Sequence, residues 1–232
     1  MHDLRHPVLL LHTLGASGET WADVIAADQS RFSAPDLPGH GTRGDEVFDT
    51  SEAVATCLET GPRFHVAGSG LGAFVALEVL RAAPERVASL FLAGFPATGG
   101  PERVTATARA IDTQGMTGFA TSYVRATLHR ESAARQVFAR AMAGMRPAGL
   151  LSALEAALSW SVPDARVPAA VLRGEHDGRV PEEAARSLAA TLGADYVTLP
   201  VAGHVAYVDD PRGFRGILDA FHRAAEAQEE PS

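Results

Sequence analysis

Three glycines at alternate positions, Gly68, Gly70 and Gly72, mark the segment with the clearest chemical meaning. They fall in Phe64-His65-Val66-Ala67-Gly68-Ser69-Gly70-Leu71-Gly72-Ala73-Phe74-Val75, which reads as an apolar strand, a glycine corner and the start of a helix. This is the setting of a G-x-S-x-G nucleophile elbow, where small residues two before and two after the centre let strand and helix backbones approach. Gly68 and Gly72 take the flanking positions, so the centre is Gly70 and the nucleophile position is vacant. Centring the motif on Ser69 would put Leu71 at the point of closest approach and aim the hydroxyl away from the site. The central residue of an elbow is held in strained backbone, at about 1–3 kcal/mol for a residue with a side chain. Glycine reaches positive φ without that cost. The expectation is a turn that survives and covalent acyl transfer through position 70 that does not.

The elements around this corner alternate. Short apolar runs at Val8–His12, Phe64–Gly68, Ala88–Gly94, Ala169–Gly174 and Asp195–Leu199 read as strands, with a weaker one at Arg31–Ala34. Helical patterns follow at Gly72–Ala83, Pro181–Leu192 and Pro211–Ala225, the last with an N-cap signal in Asp209 and Asp210. Strands alternating with helices predict an α/β fold, a mainly parallel sheet covered on both faces. Between about Ala97 and Asp164 there is no strand pattern, only helical segments at Glu102–Ile111, Gly118–Leu128, Ala133–Met142 and Gly149–Ser159. The reading is one domain: core residues 1–96, a helical insertion over the site at 97–165, core residues 166–225, and a frayed acidic tail at 226–232.

The formal net charge of −8 disfavours nucleic-acid and anionic-membrane partners, both of which want clustered Lys and Arg. No apolar run approaches a membrane span, and Met1–Pro7 lacks the apolar core of a signal peptide. Cys57 is the only cysteine, so no internal disulfide can form, and a cytoplasmic location is expected.

Taken together, Val8-Leu9-Leu10-Leu11-His12-Thr13-Leu14-Gly15, Asp36-Leu37-Pro38-Gly39-His40-Gly41, the elbow, Gly174-Glu175-His176-Asp177 and Ala202-Gly203-His204 resemble the α/β-hydrolase superfamily along nearly the whole chain. Within it, His12-Thr13-Leu14-Gly15 and Arg146-Pro147-Ala148-Gly149 look most like 3-oxoadipate enol-lactonases. The departures are Gly70 for serine, Thr13 for the usual small residue after the histidine, and Arg43 where a serine is common. The resemblance implies that His204 is the general base and Asp177 the carboxylate that orients it. It also implies an oxyanion hole built from the backbone N–H groups of Leu14 and Leu71. Thr13, Ser69, Phe95, Tyr123, Trp160 and Val205 are expected to line the substrate pocket, and Arg125, Arg130 and Arg146 could meet a substrate carboxylate. His176 has no companions at metal-ligand spacing, so neither a metal nor another cofactor is expected.

Three functions fit these residues. The first is an enzyme without a covalent intermediate, in which His204 moves a proton and the two amides hold an enolate or oxyanion, as lyase, cyclase or isomerase chemistry requires. The second is an ester, thioester or enol-lactone hydrolase weakened or inactivated at the nucleophile, naturally or by design. The third is a small-molecule binding protein. The expected partner is a small, largely apolar carbonyl substrate, the chain being a monomer or homodimer.

Overall fold

The computed structural model describes residues 4–26 and 28–228. Within them six strands form one parallel sheet: β1 (Val8–Leu11), β2 (Phe32–Ser33), β3 (Phe64–Ser69), β4 (Val87–Ala93), β5 (Ala169–Gly174) and β6 (Asp195–Leu199). Their spatial order is β2-β1-β3-β4-β5-β6. Leu11 pairs with Gly68, Ser69 with Ala93, and Ala93 with Leu172, which brings the carboxyl ends of the inner strands together. The inner strands β1, β3 and β4 are buried along their whole length, while the edge strands β2 and β6 are partly open. Continuous Val, Leu, Ala and Phe runs are what burial on both faces of a parallel sheet demands.

The helices are α1 (Ala22–Ile25), α2 (Thr50–Leu58), α3 (Leu71–Ala82), α4 (Pro101–Thr127), α5 (Ala133–Ala143), α6 (Pro147–Leu158), α7 (Glu182–Leu192), α8 (Ala206–Asp209) and α9 (Pro211–Gln228). Helix α9 lies on the sheet face that carries His65 and Phe91, with the His65 and His222 rings stacked at 4.4 Å and Phe91 edge-on to Phe214 at 5.5 Å. The pleat turns Val66, Leu90 and Leu92 to the opposite face, where they too are fully buried. Helices α4 to α6 make up the segment between β4 and β5. The two helical segments expected at 102–111 and 118–128 run on as α4, broken only at Gly115, whose φ of 66° and ψ of 166° are not helical.

Two local readings change. Helix α2 had no counterpart in the apolar pattern, because its buried residues are only Ala53 and Cys57; its start is set by the Asp49 carboxylate accepting the Glu52 N–H at 2.9 Å. The tail expected to fray from residue 226 is helical through Gln228, and Glu226 is buried. Its Oε1 accepts the Arg5 N–H at 2.7 Å and the His6 N–H at 3.1 Å, and lies 3.1 Å from His65 Nε2. Residues 229–232, the rest of that expected tail, and Met1 to Asp3 lie outside the described residues.

Candidate active site

The site is assembled at the carboxyl ends of the strands, the usual place for ligands in an open α/β sheet. Strand β1 runs into His12-Thr13-Leu14, β3 into Gly70, the loop after β5 carries Asp177 and the loop after β6 carries His204. At the corner, Gly70 has φ 54° and ψ −110°, outside every region a residue with a side chain enters readily. A Cβ on Gly68 would stand 2.2 Å from the Gly72 carbonyl oxygen, and one on Gly72 would stand 2.2 Å from that of Leu11. The flanking positions therefore admit only glycine, and the corner peaks at residue 70. Ser69 is the last residue of β3; its hydroxyl is buried, has no hydrogen-bond partner among the described residues, and Ser69 does not line the cavity described below, contrary to expectation.

The space above Gly70 is not vacant. A Cβ built there would lie 2.4 Å from Thr13 Oγ1. The two departures from the family pattern at 13 and 70 are thus one spatial substitution: the threonine hydroxyl stands where the missing side chain would begin. Thr13 lines the cavity, and its hydroxyl makes no hydrogen bond to any described residue, His204 included.

Asp177 and His204 meet as the resemblance implied. His204 Nδ1 is 3.1 Å from Asp177 Oδ2, while Asp177 Oδ1 accepts the Arg179 and Val180 N–H groups at 2.8 and 3.0 Å. Burial works against the Asp177 charge, but the His204 imidazole and these two N–H groups outweigh it and hold the carboxyl below its ordinary range. A carboxylate at Nδ1 fixes that nitrogen as the donor and leaves Nε2 toward the cavity as the proton acceptor. The His204 loop is tied down from outside. Its N–H donates to Thr127 O at 3.0 Å, and Asp209 accepts from Gly203 at 2.7 Å, His129 at 3.0 Å and Arg130 at 2.9 Å. Asp209 is therefore a brace between this loop and the end of α4, and Asp210 alone caps α9, accepting from Gly213 at 3.0 Å.

The N–H groups of Leu14 and Leu71 have no acceptor among the described residues, and both residues line the cavity beside Gly70. Leu71 opens α3, where the helix dipole adds to the pull on negative charge. The Leu14 loop is held by His12, whose Nδ1 donates to Thr13 O at 3.0 Å and whose Nε2 accepts from Leu37 N–H at 3.0 Å. His40 packs 5.0 Å from His12, and burial together with that neighbour lowers it to about 3. Both imidazoles are structural.

The cavity beside Gly70 has a volume of about 30 Å³ and is walled by Thr13, Leu14, Leu71, Tyr123 and His204 among others. A second cavity of about 240 Å³ shares Leu14, Arg103, Tyr123, Leu154 and Arg179 with it. Besides Ser69, three more expected pocket residues are elsewhere. Phe95 and Val205 are buried in the core, and Trp160 packs edge-on to Phe95 at 5.2 Å while its Nε1 donates to Ala97 O at 3.2 Å. Arg125, Arg130 and Arg146 are exposed and line neither cavity; Arg146 pairs with Asp45 at 2.6 Å on the surface. The arginines that do line both cavities, Arg103 and Arg179, carried no periodic or motif signal, although Arg179 stands two residues after Asp177.

A sheet with these strand ends, a strand–glycine–helix elbow and a carboxylate–imidazole pair together define an α/β-hydrolase fold. The chain belongs to the alpha/beta hydrolase family, whose model matches residues 8–217. It is 43% identical over 94 residues to a pimeloyl-[acyl-carrier protein] methyl ester esterase of Methylococcus capsulatus, a match covering 38% of this chain and 37% of that protein. It is 29% identical over 240 residues, 94% of each chain, to the protein of the same name from Pectobacterium carotovorum. Among solved structures, the enol-lactonase from Burkholderia xenovorans superposes with a TM-score of 0.79 at 23% identity, over 94% of this chain and 91% of that one. No helix of the described residues is long and apolar enough to cross a membrane.

Proposed function

We propose that this protein is an enzyme acting on a small carbonyl substrate by proton transfer at His204, without an acyl-enzyme at residue 70. The observation that carries the reading is the pairing of an intact His204–Asp177 couple with an elbow whose apex holds the Thr13 hydroxyl and no side chain of its own. In this reading the carbonyl oxygen sits against the Leu14 and Leu71 N–H groups, which stabilise the oxyanion of an enolate. His204 Nε2 takes the proton from the adjacent carbon and returns it to product, and Asp177 stabilises the imidazolium in between. Thr13 Oγ1, with no hydrogen-bond partner among the described residues, donates to the same oxygen or to the leaving group.

Hydrolysis is the second reading, and the esterase relatives favour it. Here His204 deprotonates a water, which attacks the carbonyl carbon directly. Proton NMR in D₂O on a panel of esters, enol-lactones and oxo acids separates the two. The first reading expects α-proton exchange or elimination, and the second expects ester loss without exchange. In both, His204→Gln lowers the rate by about 100-fold or more. A rate unchanged by that substitution removes His204 from the chemistry and both readings with it.

A further inference from the structure

We infer that Arg103 and Arg179 form an anion subsite that receives a carboxylate carried by the substrate. The inference rests on the reading of this cavity as the substrate site, and it specifies the class of substrate. Both side chains line both cavities, the inner one shared with Gly70, Thr13 and His204. Neither pairs with a carboxylate among the described residues. Among the described residues Arg103 has one hydrogen-bond partner, Thr98 O, which its Nη1 meets at 2.8 Å. The Arg179 side chain has no hydrogen-bond acceptor among the described residues, and its Nε is buried. Other half-buried arginines are held differently: Arg86 and Arg173 each donate to several backbone carbonyls, and others meet a carboxylate. Arg31 meets Asp219 at 2.7 Å, Arg215 meets the same carboxylate at 2.8 Å, and Arg43 meets Glu46. In a chain with a formal net charge of −8, two guanidinium groups lining one cavity without a counter-ion among the described residues mark a place for an anion brought from outside.

The side chains are also pre-positioned. The Arg179 guanidinium lies 4.4 Å from the centre of the Tyr123 ring, which fixes its plane while leaving its edge unpartnered. Thr98 ties the two together, its carbonyl accepting from Arg103 and its hydroxyl donating to Arg179 O at 3.4 Å. A planar fork with unpartnered donors suits a carboxylate, which it binds through two parallel hydrogen bonds. The substrate is then an acid whose carboxylate is anchored under α4 while its reacting carbonyl lies against Leu14 and Leu71.

The test is calorimetric titration of the full chain with the straight-chain dicarboxylates from malonate to suberate and with their dimethyl esters. At least one diacid is expected to bind, its diester at least tenfold more weakly, and added salt should weaken the diacid alone. Arg179→Gln and Arg103→Gln should each reduce diacid affinity by about 10- to 100-fold, and Arg103→Lys should recover part of the loss. His204→Gln should bind the diacid as the wild type does, because the anchor does not use the imidazole. Equal binding of diacid and diester, no binding by any member of the series, or glutamine variants that bind like the wild type would each overturn the subsite. Inorganic phosphate bound more tightly than every diacid would overturn the carboxylate assignment. A wild type that binds diacids but turns over nothing in the NMR panel condemns the proposed chemistry and leaves the subsite standing, so the two failures are distinct.

Discussion

Restoring a serine at residue 70 should be costly on its own and much less so once Thr13 is removed. In Gly70→Ser the new Cβ falls 2.4 Å from Thr13 Oγ1, about 0.9 Å inside an ordinary carbon–oxygen contact of about 3.3 Å. Thr13 is buried and β-branched, so its χ1 has little freedom to yield. Overpacking of this kind costs about 1–3 kcal/mol. The backbone at φ 54° adds about 1–3 kcal/mol for any residue with a side chain. Gly70→Ser should therefore lose about 2–6 kcal/mol, whereas in a Thr13→Gly background the steric share disappears and only the backbone share remains. Urea unfolding of the wild type, both single variants and the pair closes a double-mutant cycle, with an expected coupling of about 1–3 kcal/mol in favour of the pair. Additivity within about 0.5 kcal/mol would refute the claim that residues 13 and 70 compete for one volume.

Removing the brace under the His204 loop should loosen it: Asp209→Ala leaves three N–H groups without their acceptor and should cost about 1–3 kcal/mol, with kcat falling more than KM rises, as steady-state kinetics and urea melts will show. His222 is buried with both ring nitrogens unpartnered among the described residues, so His222→Phe should raise stability by about 1 kcal/mol or more in denaturant titrations. Burial also lowers His12, His40 and His222, and their unfolded forms take up protons from about pH 6.5 downward while the native forms do not. Melting temperature should accordingly fall as pH drops below about 6.5, and His222→Phe should flatten that fall. Asp177 acts in the same direction at lower pH: its carboxyl is held below its unfolded value, so its contribution is present above about pH 4 and disappears as pH falls through the native value, a loss absent from Asp177→Asn.

The inner strands were legible because strands buried on both faces must be continuous apolar runs, and the two edge runs, only partly buried, are strands as well. Even Arg31–Ala34, shortened to Phe32–Ser33, pairs where a parallel neighbour of β1 belongs. Helix α2 was illegible to an apolar pattern, since it packs through alanine and cysteine; its trace was the Asp49–Glu52 cap spacing. Glu226 looked like tail because acidity near a terminus usually means solvent, yet it is fixed by backbone and imidazole groups from residues far along the chain. In the site, Gly70 was readable from the spacing of its flanking glycines, while Asp177 and His204 were implied by the resemblance of their loops to the superfamily. What could not be read were relations across elements: that the Thr13 hydroxyl fills the space over Gly70, and that the helical segment between β4 and β5 turns Arg103 rather than Arg125 or Arg146 into the cavity. Phe95, Trp160 and Val205, expected in the pocket, pack against protein instead.

Reaction with a fluorophosphonate, followed by intact-protein mass and peptide mapping, tests the central claim without knowledge of the substrate. No adduct is expected on the wild type and an adduct is expected at position 70 in the variant carrying both Thr13→Gly and Gly70→Ser, because only the attacking atom is missing from an otherwise competent arrangement. Modification of Thr13 in the wild type, or a well-folded double variant that stays unmodified, would contradict it.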